Sequence, residues 1–143
     1  MKKILFILLS ILVLFSCKKK DDTYFHLSLL STTPTSIQEF QENIVVEIEF
    51  EHSQGFMGFY DPDYLSLEVK DSRLSNADYY HLIPLNPPQN EVSIIGEIDI
   101  EVDAPFIFGN GNTETLTFTI RIQDKDKNWS NKITTGLITV NKQ

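Results

Sequence analysis

Three stretches of this chain alternate apolar and polar residues with a period of two, the mark of strands with one buried and one wet face. In Ile44 to Glu51 the apolar set is Ile44, Val46, Ile48 and Phe50, with Glu47, Glu49 and Glu51 opposite. In Ile94 to Val102, Ile94, Ile98, Ile100 and Val102 share a side with Gly96 and oppose Glu97, Asp99 and Glu101. In Thr115 to Gln123, Leu116, Phe118, Ile120 and Ile122 oppose Thr115, Thr117, Thr119, Arg121 and Gln123. Weaker strand candidates are Tyr24 to Leu30, Tyr64 to Lys70, Tyr79 to Ile83 and Ile133 to Val140. Turn-forming clusters separate them: Pro34, Asp61-Pro62-Asp63, Pro84 with Pro87-Pro88, Gly109-Asn110-Gly111-Asn112, and Asp124 to Asn128. Ser36 with Glu39 fits a capping box, which leaves room for at most one helical turn before Ile44.

Seven short strands without a convincing amphipathic helix place residues 24–143 in the all-β class. The expected architecture is an antiparallel immunoglobulin-like sandwich of about seven strands, with an up-and-down barrel as the alternative, because periodicity does not reveal strand order. Packing between two sheets predicts a core of Phe50, Leu67, Val69, Ile98, Ile100, Phe118 and Ile120.

The N-terminus breaks the pattern. Residues 1–16 hold two lysines and then an apolar run from Ile4 to Phe15 interrupted only by Ser10, the layout of a secretory signal peptide. A helix needs about 20 apolar residues to span a bilayer, so this run is short for a transmembrane anchor. Leu14-Phe15-Ser16-Cys17 resembles the lipobox of bacterial lipoproteins. Leu14 matches the apolar −3 position, Ser16 the small −1 position and Cys17 the residue that becomes lipidated, while Phe15 is bulkier than usual. The resemblance implies signal-peptidase recognition through Leu14 and Ser16, cleavage before Cys17, and acyl chains on Cys17 that hold the protein at a membrane. Two or more chains anchor stably where one does not. Residues 17–23 then form the lipidated Cys and a charged tether, and residues 24–143 the folded domain. Lys18-Lys19-Lys20-Asp21-Asp22 is similar to the signal that sends Bacteroidetes-type lipoproteins to the outer face of the outer membrane, which implies an outer-membrane, cell-surface location.

Further likenesses lie in the domain itself. Phe118 to Asp124, followed by Asp126 to Asn131, resembles the closing strands of bacterial immunoglobulin-like repeats. Residues 27 to 140 are similar to small Bacteroidetes lipoproteins of unassigned function, which carry an acidic Gly-Asp-rich loop after a strand like Ile44 to Glu51. Here His52-Ser53-Gln54 stand in that place.

Composition narrows the function classes. The chain has 143 residues, 41% of them hydrophobic, which suits one folded domain. A single Cys forbids an intramolecular disulfide and any CxxC pair. The formal net charge is −8 overall, and from Thr23 onward 7 basic residues face 18 acidic ones, a net of −11. That excess repels nucleic-acid backbones and anionic lipid, and it suits cationic partners or metal ions.

Candidate sites are few. Asp124, Asp126 and Asn128 alternate as calcium ligands do, and Glu51, Asp61 and Asp63 cluster elsewhere. Lys125 and Lys127 interleave with the first set, and no Gly or bidentate Glu completes a calcium loop, so two Asx-rich turns are the preferred reading and one weak calcium site the only cofactor candidate. Phe56, Phe59, Tyr60 and Trp129 are candidate ligand contacts, in or beside loops where exposed rings stack on sugars or anchor proteins. Core closure is the competing reading for Phe56 to Tyr60, and Trp129 is expected to pack inward. No Gly-x-Ser-x-Gly elbow, phosphate loop or metal-spaced histidine set occurs, so no catalytic residue is assigned. The expectation is a non-catalytic binding module for an unidentified envelope protein or glycan. The alternative is a structural subunit of an envelope complex. Exposure of Phe56 to Tyr60 favours the first and burial the second.

Overall fold

The strand with the cleanest alternation forms as expected and sits at the centre of a sheet. In the computed structural model, which describes residues 24–55, 57–85 and 92–143, Ile44–His52 (β3) pairs antiparallel on one side with Phe25–Thr33 (β1) and on the other with Ile94–Val102 (β6). Its inward row, Ile44, Val46, Ile48 and Phe50, is buried, while Glu47, Glu49 and Glu51 keep to the wet side. Both edges of β3 are paired, so neither its backbone nor its apolar face meets solvent.

A second layer covers that apolar face. It contains Ser36–Gln38 (β2), Leu67–Asp71 (β4), Asp78–Tyr80 (β5), Thr113–Leu116 (β7), Phe118–Ile122 (β8), Ile133–Thr134 (β9) and Ile138–Asn141 (β10). The β7–β8 run is interrupted only at Thr117, and the β9–β10 run at 135–137. The pieces therefore line up as β5, β4, β8 with β7, β9 with β10, and finally β2. Across the interruptions, the Thr135 N–H donates to the Phe118 carbonyl and the Ser72 N–H to the Thr117 carbonyl, both at 2.9 Å. Leu116, Phe118, Ile120, Ile122, Ile138 and Val140 face β3 across one shared core.

The all-β class therefore holds, with ten strands and no helix among the described residues. Strand forms within each of the seven expected segments, two of them in two pieces, but only Tyr79 and Tyr80 of Tyr79 to Ile83 and only Leu67 to Lys70 of Tyr64 to Lys70 are strand. Ser36–Gln38 is a correction, for it is a strand rather than a helical turn and pairs parallel with β10. Of the expected core, Phe50, Leu67, Val69, Ile100, Phe118 and Ile120 are buried. Ile98 is the exception, only half-buried because no described strand covers β6 on that side.

The layers define two poles. Phe25 stands opposite His52, and the Leu27 N–H donates to Asn131 at 2.7 Å, so the chain enters the domain beside the β8–β9 loop. Ile44 stands opposite Val102 at the other end, and there the Phe40 N–H reaches the Pro105 carbonyl.

Gly96 tests the packing of the first sheet. It lies directly opposite Phe50, whose ring lies across it, and a Cβ built on Gly96 would sit 2.7 Å from Phe50 Cζ. Phe50 is buried, so its ring must shift within a packed interior to admit the methyl. Gly96→Ala is expected to cost about 1–3 kcal/mol in urea unfolding, the usual penalty of overpacking. Gly136→Ala, where nothing lies within 4 Å of the new methyl, should change stability by less than about 0.5 kcal/mol. Equal stability of the two variants would refute this account of the Phe50–Gly96 contact.

Candidate functional site

The residues singled out from sequence gather mainly at the entry pole. Leu14, Ser16, Cys17 and Phe56 lie outside the described residues. Met57 is buried and bridges both Leu85 and Asp124, while Phe59 is half-buried with its ring 3.9 Å from that of Tyr64. Tyr60 is 80% exposed. The apolar loop thus divides between core closure and exposure within four residues. Gly58 makes the close turn possible: its φ is +74°, and a Cβ there would meet the Leu82 carbonyl at 2.6 Å.

Trp129 does not pack inward. It bridges Gln123 on the outer side of β8, and the Arg121 guanidinium lies 4.1 Å from its ring centroid. Arg121 in turn holds Glu68 through Nε at 2.9 Å and Nη2 at 2.6 Å, and the Tyr79 hydroxyl donates to the same carboxylate at 2.9 Å. Those hydrogen bonds from Arg121 keep Glu68 below the usual carboxylate range. The row Tyr79, Glu68, Arg121 and Trp129 crosses the outer face of the second layer with its charges matched. Alternation explains the correction, for Trp129 pairs with a residue of the same parity as Arg121 and must point outward with it.

Asp124 is fully buried and acts as the cap of its own loop. Its Oδ1 accepts from the N–H groups of Asp126 and Asn128 at 2.9 and 2.8 Å, and Oδ2 accepts from the Asn128 side-chain amide at 3.0 Å. Lys127 turns the loop with φ of 67°. The N–H groups thus occupy the carboxylate oxygens, and Asn128 offers Asp124 a donor rather than an oxygen to a cation. Among the described residues no group of three or more His, Cys, Asp or Glu side chains is placed to hold a metal ion. His52, also fully buried, sets Nε2 3.6 Å from Asp124 Oδ2 and accepts the Gln54 N–H on Nδ1 at 3.1 Å. This pair is sealed from solvent and positions the end of β3 against the β8–β9 loop.

The feature that sequence reasoning missed is a cleft between the layers. It has a volume of about 470 Å³ and runs along β6, where both parities of residue from Glu97 to Val102 line it. Consecutive residues line a cavity only when it follows a strand's edge rather than its face. The floor is Leu67 and Val69 of β4, and the far wall is the segment 80–85. A signal was present in the sequence: between β5 and β6 stand Pro84, Pro87 and Pro88, whose missing N–H groups cannot complete a ladder. Ile83, on the far wall, is 75% exposed.

A second unexpected surface lies at the opposite pole. Phe40 and Phe106 stack with ring centroids 5.1 Å apart, and Phe106 meets Phe108 edge-on at 4.9 Å. Arg73 lies 4.3 Å over Phe108, donates to the Phe106 carbonyl at 2.8 Å, and pairs with Asp71 and Glu114. Phe40 is 63% exposed and its φ is 62°, a left-handed conformation that costs a bulky residue roughly 1–2 kcal/mol.

Comparison with known protein families, curated proteins and solved structures finds no match for this chain.

The His52–Asp124 contact makes a pH prediction. Burial lowers the His52 pKa from its ordinary 6.5, and the nearby Asp124 only partly opposes this. A histidine held neutral in the folded state contributes its full stability above the unfolded value and loses it as pH falls from there through the lowered folded value. The protein should therefore lose stability in urea below pH 6.5. His52→Gln should flatten that part of the profile; a variant with the same slope as wild type would acquit His52.

Proposed function

We propose that this protein is a lipid-anchored, non-catalytic binding module of the cell envelope, built on an immunoglobulin-like sandwich, that holds an envelope partner in the cleft beside β6. The observation carrying the reading is the cleft itself, an apolar trough along a strand edge that pairs with no other described strand, and within the volume range of ordinary binding pockets. The sandwich assignment is supported by the three-stranded β1-β3-β6 sheet facing a larger layer, with the short β2 running parallel to the last strand β10. The anchoring rests on Leu14 to Cys17 and on the short apolar run before them. A structural subunit of an envelope complex is the second reading, favoured by the exposed Phe40–Phe106–Phe108 stack, since exposed apolar clusters mark contact surfaces.

Two experiments test these statements. Cys17→Ser should move the protein from the membrane pellet to the soluble fraction and remove acyl label; retention of both would overturn the anchor. A photo-crosslinking phenylalanine analogue at Ile83, in the cleft wall, should trap a discrete partner in intact cells. The same analogue at the exposed Leu137, on the β9–β10 connection, should not. Equal crosslinking from both positions would remove the cleft from consideration.

A further inference from the structure

The cleft runs along β6, a nine-residue strand whose edge carries a row of carboxylates as its guard against pairing. Sheet edges are normally protected by charged side chains, Pro, bulges or shortness, because exposed N–H and C=O groups template pairing with another chain. β6 has nine residues, no Pro and no Lys, and its register with β3 is unbroken from Ile44↔Val102 to His52↔Ile94. No other described strand pairs with it, so its second edge faces the cleft.

The two faces of that edge differ in chemistry. Toward the cleft stand Ile98, Ile100 and Val102, above Leu67 and Val69. Toward solvent stand Glu97, Asp99 and Glu101, all exposed. Behind them, Glu49 lies directly opposite Glu97 and Glu47 directly opposite Asp99. No Lys or Arg occurs anywhere on β1, β3 or β6. Like charges opposite each other weaken a sheet, whereas opposite charges there stabilise it. The row is therefore complementary to cations on the next strand over.

From this geometry we infer that the cleft takes an extended peptide segment of a cationic partner, added as a strand to the free edge of β6, with basic residues alternating with apolar ones. Residues opposite Glu97, Asp99 and Glu101 are the basic set and project to solvent; those opposite Ile98 and Ile100 are the apolar set and enter the cleft. Main-chain hydrogen bonds supply affinity and the alternation supplies selectivity, as in other strand additions. Five residues cover this stretch, at about 3.4 Å each. A second copy of this chain is a poor occupant, because pairing β6 with β6 would set the same carboxylates against each other. The inference rests on the cleft being the binding site and adds the chemistry of what fills it.

The test uses the full chain in detergent and the peptide Lys-Val-Lys-Val-Lys-Val-Lys, fluorescently labelled, with binding read by anisotropy at low salt. Two controls have the same length: an alternating Glu-Val peptide, and a block isomer with all lysines before all valines. The alternating lysine peptide should bind at least tenfold more tightly than either. The triple variant Glu97→Gln, Asp99→Asn, Glu101→Gln should weaken it about tenfold while keeping or raising the melting temperature, since repulsion is removed. Bound peptide should also slow amide hydrogen exchange within Ile94–Val102. Equal binding of the block isomer, unchanged exchange in β6, or no binding at all overturns the strand addition. If Ile83 still crosslinks a partner in cells after such a failure, the cleft stands and only its cationic-strand occupant is rejected; if both fail, neither stands.

Discussion

The pairing of β3 with β6 runs through nine residues without a bulge, and a period of two makes that register decide which side chains are buried and which are wet. A slip of one residue would turn Ile98 and Ile100 out to solvent and drive Glu97, Asp99 and Glu101 into the core. The register is fixed by β3, whose inward side chains are held by β1, β6 and the second layer together. Phe50 against Gly96 adds a lock, because its ring fits over a residue without a side chain. Both the cleft and the acidic row are consequences of this one pairing. Among the described residues β6 is paired along one edge and left with the other.

That arrangement sets two physical demands against each other. Burial favours covering Ile98 and closing the sheet edge, yet the chain places prolines in the stretch where a covering strand would come from. Charge spreading favours distributing carboxylates, yet Glu47, Glu49, Glu97 and Asp99 face one another in pairs. In the second layer Arg121 pairs with Glu68, and Arg73 is shared between Asp71 and Glu114. Cations are therefore placed on the second layer and withheld from the first, which concentrates unbalanced charge beside the groove. Local departures from otherwise consistent design are where function is expected.

Much of this was legible in the residues, and the failures have physical causes. Alternation located β3 and β6 to within a residue because each sets a mostly apolar face against a run of three alternating carboxylates. Ser36–Gln38 was not legible, since three residues carry no period and their partner, β10, lies about a hundred positions away in the chain. Trp129 was expected inward because a lone Trp in a sandwich commonly packs there, but its stack on Arg121 covers one face of the ring on the outer side instead. Asp124 was legible as a turn residue, though not as a buried cap. The Phe40–Phe106–Phe108 stack brings together residues from loops that only the fold makes neighbours, and Ile98 read as core because periodicity reports which face a residue is on, not whether anything covers it.

The direction of chain entry gives the two surfaces different standing. Tyr24, where the described residues begin, accepts the Ser53 N–H on its carbonyl, beside the buried His52–Asp124 pair. Under the proposed anchoring at Cys17, seven residues separate the lipid from the domain and span at most about 25 Å when extended. The entry pole is then the one held near the membrane, with Tyr60 and the Asp124 loop on it. β6 starts at that pole and runs away from it, so its open edge lies along the flank of the domain and stays accessible from the side. The phenylalanine stack crowns the opposite pole and points away from the lipid. A partner strand could thus be added to the flank while the crown contacts something further out, and neither contact would need the membrane to move aside.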